Sequence, residues 1–98
     1  MEKQLEEHIK IKIAVTLQYL LEKKKKIEKV DGKHDDDVSS YNKIANIADI
    51  RKATVSNIFN AKTTPASSTL VSIIEAMGFK LSDFAKIFDS LQEGDLKI

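Results

Sequence analysis

The chain has 98 residues, 42% of them apolar and 32% charged, with sixteen Lys/Arg against fifteen Asp/Glu and a formal net charge of +1. That describes one small domain, 1–98, with apolar side chains for a single core and too little chain for most enzymes with a lidded active site. There is no Cys, one Pro and three Gly, which excludes disulfides, thiol catalysis and cysteine-ligated metal centres and argues against a turn-rich sheet.

From Leu5 to about Lys26, the residues Leu5, Ile9, Ile13, Leu17, Leu20 and Leu21 recur at steps of three and four. That spacing predicts a long amphipathic first helix. Ile11 and Val15 widen its stripe and leave room for a partner chain. The run Lys23–Lys26 falls in its last turns, where cations suit the negative end of the helix dipole. Its lysines could also reach phosphate, but a solvated helix end is the expected role. Residues 28–39 have no helical period and contain Asp31-Gly32, so they are expected to form a polar connection.

Ser39 or Ser40 is expected to N-cap a short helix bearing Tyr41, Ile44, Ala45 and Ala48. Asp49-Ile50 ends it in one tight turn, and a second short helix follows with Val55, Ile58 and Phe59. Thr64-Pro65 suggests an N-cap followed by Pro at the first position of the next helix. Leu70, Ile73, Ile74 and Met77 form that helix's buried stripe, and Gly78 suits its left-handed closure. Ser82 is expected to cap a last helix with Asp83 in its first turn. The apolar face there is Leu81, Phe84, Ala85, Ile87, Phe88 and Leu91. The tail, 92–98, is expected to fray.

The charge is segregated. Residues 1–30 carry +3, 31–37 carry −3, 38–65 carry +3 and 66–98 carry −2. A basic middle is a modest pointer to a polyanion. No apolar run approaches the roughly 18–20 residues of a membrane span, and the acidic start MEKQLEEH does not read as a signal peptide. A cytoplasmic chain with no membrane partner is therefore expected. His34 beside Asp35–Asp37 lacks the ligand spacing of calcium or zinc sites, and His8 stands alone. No metal, cofactor or catalytic residue is expected.

Two short helices joined by a tight turn make a helix-turn-helix. Ala45 supplies the small residue at the close crossing, Asp49 the residue tolerant of positive φ, and Ile50 and Val55 the apolar anchors. Lys52, Ala53, Ser56, Asn57 and Asn60 are then left outward. With IA at 44–45, TVSNI at 54–58, NAK at 60–62, Pro65, TL at 69–70, MG at 77–78 and LSDF at 81–84, residues 40–88 resemble the Cro/phage-repressor (XRE-type) helix-turn-helix family. The resemblance is close over about half the chain.

It implies a five-helix, all-α, lambda-repressor-like DNA-binding domain with a long first helix and an extended connection to the second. The helix-turn-helix core would lie at about 40–60. It further implies a sequence-specific regulator of double-stranded DNA, a homodimeric repressor reading the major groove with the helix at 51–60. Lys52, Ala53 and Asn57 occupy its base-reading positions, suited to guanine, a thymine methyl and adenine. Arg51, Asn60 and Lys62 match backbone-contacting positions, which place the protein without reading sequence. Ser40 and Tyr41, at the expected start of the preceding helix, would offer N–H groups and a hydroxyl to another phosphate. Thr54 and Ser56 would approach the sugar edge.

Phe84, Ile87, Phe88 and Leu91 are the candidates for a dimer interface. A two-fold dimer would set the recognition helices about 34 Å apart, one DNA turn. No ligand-sensing domain is expected, which suits a small autoregulatory repressor or an antitoxin-type protein.

Four positions depart from the family pattern. Asp49 and Ala61 stand where Gly is usual, and Asp49 should cost about 1 kcal/mol in a left-handed turn. Tyr41 replaces a bracing Gln, and Arg51 replaces a capping Ser or Thr. The long acidic insertion, the weak net charge and the missing brace at Tyr41 keep an alternative open: a protein-interaction module on the same scaffold, with little productive DNA reading. Salt dependence separates the two, because a DNA binder loses affinity steeply as salt rises.

Overall fold

The computed structural model describes residues 2–28 and 37–92, with side chains at 7–26 and 40–92. Among the described residues there are five helices and no strand: α1 (Glu2–Glu28), α2 (Asp37–Ala48), α3 (Lys52–Phe59), α4 (Ser67–Ala76) and α5 (Leu81–Ser90). Residues 29–36 of the polar connection and 93–98 of the tail lie outside the description. So do His34, Asp35 and Asp36, and the side chains of Leu5, Asp37 and Ser39.

The core is drawn from every helix. Ile13, Leu17, Leu20 and Leu21 of α1 meet Ile44 and Ala45 of α2, Val55, Ile58 and Phe59 of α3, Ile73, Ile74 and Ala76 of α4, and Phe84 of α5. Each large side chain buried in this way contributes about 1.5–3 kcal/mol. α1 is the spine against which α3 and α5 pack, while α4 bridges α2 and α5. α2 and α3 also pack against each other, and Ala45 at 4% exposure is the small residue at their junction.

Three helix ends share one device. After α2, Ile50 N–H bonds to Ala45 O at 3.0 Å with Asp49 at φ 57°. After α3, Lys62 N–H bonds to Asn57 O at 2.8 Å with Ala61 at φ 59°. After α4, Phe79 N–H bonds to Ile74 O at 3.1 Å with Gly78 at φ 85°. Each is a Schellman closure, in which a left-handed residue turns the chain so that the next N–H satisfies an orphan carbonyl. The expected roles of Asp49 and Gly78 are thus realised in the backbone.

The helix starts differ from expectation. α2 begins at Asp37, so neither Ser39 nor Ser40 is its cap. α4 begins at Ser67, with Ala66 in the cap position and no side-chain cap. Pro65 therefore precedes the helix instead of opening it, and the extended backbone at Ala66 (φ −65°, ψ 154°) carries the chain into α4. α5 starts at Leu81 with Lys80 in the cap position. The Asp83 carboxylate accepts the Lys80 N–H at 2.8 Å, a charge-assisted bond stronger than a Ser82 hydroxyl would make. Ser82 lies inside the first turn.

Two expectations about free apolar surface are also corrected. Val15, assigned to a partner chain, is 4% exposed within the single chain. Phe84, a dimer candidate, is a core residue at 6% exposure. Its ring stacks on Phe88 at 5.6 Å, and the Lys12 ammonium sits 4.3 Å from the Phe88 ring centre. α5 packs against α1 along this line, which uses both phenyl groups inside the domain. No described helix is long and apolar enough to cross a membrane.

Candidate nucleic-acid interface

α3 is only eight residues long, so packing and not intrinsic propensity keeps it helical. Val55, Ile58 and Phe59 are its buried residues. At about 100° per residue these cover the inner arc, and Lys52, Ser56, Asn60, Ala53 and Asn57 share an outer arc of about 140°. The structure thus brings together on one face the residues expected to read bases, Lys52, Ala53 and Asn57. Lys52 and Ala53 are exposed and Asn57 is half-buried. Thr54 lies at the margin of the arc and is half-buried.

The backbone-contacting candidates divide. Arg51 occupies the cap position of α3 in extended conformation (φ −73°, ψ 142°), with no side-chain cap. Its cation stands exposed beside a helix N-terminus whose N–H groups favour anions. Lys62 is exposed at the other end of the same helix. Asn60 is exposed too, though its amide donates to Ser56 O at 2.8 Å, which commits one donor to closing the helix.

Ser40 and Tyr41 are a correction. Because α2 begins at Asp37, Ser40 and Tyr41 lie one turn inside the helix, where their N–H groups are helical donors. Ser40 is 6% exposed. Tyr41 packs its ring 4.9 Å from that of Phe59, so it fills the space between α2 and α3 with an aromatic contact.

Sequence reasoning overlooked Gln18. On α1, its side-chain amide donates to Phe59 O at 2.7 Å, joining residues 41 apart in sequence and satisfying a carbonyl at the C-terminus of α3. Gln18 flanks the buried Leu17 and Leu21, and a polar amide on the edge of a core stripe is the signal that marks it. The spine of the fold therefore holds the exposed helix by both ends of Phe59: ring in the core, carbonyl on Gln18.

Of the remaining dimer candidates, Ile87 and Leu91 line a shallow hollow with Tyr19, Lys23 and Ser90. Tyr19 is 47% exposed. Lys23 lies 5.9 Å from the Phe79 ring centre, while Lys24 and Lys25 border a separate groove on the α2 side. Among the described residues, no group of three His, Asp or Glu stands together as a metal site.

Compared with family models, curated proteins and solved structures, the chain matches none.

Proposed function

We propose that this protein is a sequence-specific double-stranded DNA-binding regulator, a homodimeric repressor on a lambda-repressor-like domain that presents α3 to the major groove. The observation that carries the reading is the α2–turn–α3 unit. A left-handed Asp49 joins two short packed helices, and the second keeps Lys52, Ala53, Ser56, Asn57 and Asn60 on one outward arc. A short helix with a polar outer face, anchored from behind, is what groove entry requires. Lys52, Ala53 and Asn57 read bases, while Arg51, Asn60 and Lys62 hold phosphate. The hollow bounded by Tyr19, Ile87 and Leu91 is the face offered to a second copy.

Selection from a randomised duplex library at near-physiological salt tests this. The expected result is an enriched palindrome with half-sites about 10 bp apart. Lys52→Ala should change the preferred sequence, and Arg51→Ala should weaken all duplexes alike. Folded protein that enriches nothing, or binding that stays flat between low and moderate salt, would sink the proposal in favour of the interaction-module alternative.

A further inference from the structure

The last four carbonyls of a helix have no partner inside it. In α3 these belong to Ser56, Asn57, Ile58 and Phe59. The turn that follows satisfies three of them: Asn60 N–H bonds to Ser56 O at 3.0 Å, Lys62 N–H to Asn57 O at 2.8 Å and Ala61 N–H to Ile58 O at 3.2 Å. The fourth, Phe59 O, takes its bond from another helix, the Gln18 amide of α1 at 2.7 Å. At the opposite end of α3, Arg51 supplies no side-chain cap.

Two kinds of restraint therefore act on α3. Val55, Ile58 and Phe59 are buried, but apolar packing is non-directional and constrains the depth of a short helix more than its tilt. A hydrogen bond is directional and weakens steeply as its angle falls. Gln18 is half-buried on the spine of the fold, next to the fully buried Leu17, so its amide starts from a fixed point.

We propose that Gln18 is a positioning residue for sequence reading: by holding Phe59 O it sets the tilt at which α3 meets the base edges. The inference rests on the reading of α3 as the helix that enters the groove. Base contacts need their donors within roughly 0.5 Å and 10–20° of the productive geometry. Phosphate contacts carry no sequence information, and lysine meets them on a flexible stem. With its C-terminal end released, α3 pivots on the tight turn at Asp49-Ile50. Asn57 lies about 7.5 Å along the axis from Lys52, so a tilt of about 10° moves it by about 1.3 Å. That takes a bidentate pair out of range, while Lys52, beside the pivot, barely moves.

The test uses the full chain and two labelled duplexes, the one that the parent enriches from the randomised library and one of scrambled sequence. Fluorescence anisotropy at one salt concentration gives both affinities. Gln18→Met keeps the length of the side chain and removes its donor. It should lower the ratio of specific to scrambled affinity by about tenfold, with scrambled binding and its salt slope unchanged. The loss should concentrate at the base pair facing Asn57 and spare the pair facing Lys52. Gln18→Lys restores an N–H donor for a helix-end carbonyl and should bring the ratio to within about threefold of the parent. The ratio is the readout, because the added charge strengthens binding to both duplexes. Ile74→Val, a core truncation in α4, should lower the urea midpoint and leave the ratio alone.

If the parent enriches no sequence, the reading of α3 falls and this inference falls with it. If the parent enriches one and Gln18→Met keeps the parent's ratio, the inference alone is overturned. It is overturned too if Gln18→Met weakens both duplexes equally, the mark of a residue that only stabilises the fold. A ratio that stays as low in Gln18→Lys as in Gln18→Met also ends it, since the donor would then be irrelevant.

Discussion

The turns that follow α3 and α4 are built alike and carry different residues. Both close with the same pair of backbone hydrogen bonds, Ala61 N–H to Ile58 O and Lys62 N–H to Asn57 O in one, Gly78 N–H to Glu75 O and Phe79 N–H to Ile74 O in the other. At the left-handed position the first has Ala61 at φ 59° and the second Gly78 at φ 85°. A Cβ placed on Gly78 would meet nothing within 4 Å, so glycine is needed there for its backbone alone. Ala61 bears the strain that Gly78 avoids, of roughly 1–2 kcal/mol for a left-handed residue with a Cβ.

Such a conformation persists only where its surroundings over-determine it. At the end of α3 those surroundings are the Phe59 ring, 0% exposed in the core, the Gln18 bond to Phe59 O and the Tyr41 ring. The segment bearing the proposed reading face is thus held from behind and strained at its edge. The turn after α4 is relaxed.

The largest test removes the hold on α3. Phe59→Ala should destabilise the domain by about 3–5 kcal/mol in urea unfolding; a loss under 1 kcal/mol would mean that α3 is not anchored through this ring. Next, Gly78→Ala should cost roughly 1–2 kcal/mol, since the added methyl has open space and only the backbone objects. An unchanged midpoint would contradict the left-handed assignment.

Gln18→Ala should cost about 0.5–1.5 kcal/mol. Gln18→Glu, of the same shape, should cost at least as much because it sets an acceptor against a carbonyl. If Glu is tolerated and Ala is not, the side chain packs rather than donates. The smallest effect has the opposite sign. Ala61→Gly should stabilise the chain by about 0.5–1 kcal/mol, the relief of strain outweighing the greater freedom of the unfolded chain. A stabilisation equal to that of Asp49→Gly would show that Asp has no advantage over Ala at this backbone angle.

Much of the fold was legible because its signals are local. The three-and-four spacing of Ile13, Leu17, Leu20 and Leu21 defines the buried side of α1. Asp49-Ile50 and Met77-Gly78 mark two of the turns by the φ they tolerate. The outward polar set on α3 follows once Val55 and Ile58 are taken as its inner face. The errors share another origin. Ser40, Thr64-Pro65 and Ser82 all have good local helix-start chemistry, yet α2, α4 and α5 begin elsewhere. A helix start responds to the register in which its core residues must enter, and to competing partners such as the Asp83 carboxylate on Lys80 N–H.

The sequence by itself determined an all-helical fold, much of the buried stripe of α1, α3 and α4, the left-handed turns at Asp49 and Gly78 and the single polar arc at 52–60, while Ile9 and Leu81, expected on apolar faces, are exposed. Periodicity and turn sterics depend on residues only a few positions apart. Tertiary structure decided that Phe84 and Val15 belong inside, that Gln18 reaches a carbonyl 41 residues away, and that Lys24, Lys25 and Lys43 gather around one apolar groove. Those are meetings between distant segments. No local pattern specifies them, because they exist only once five helices share one core.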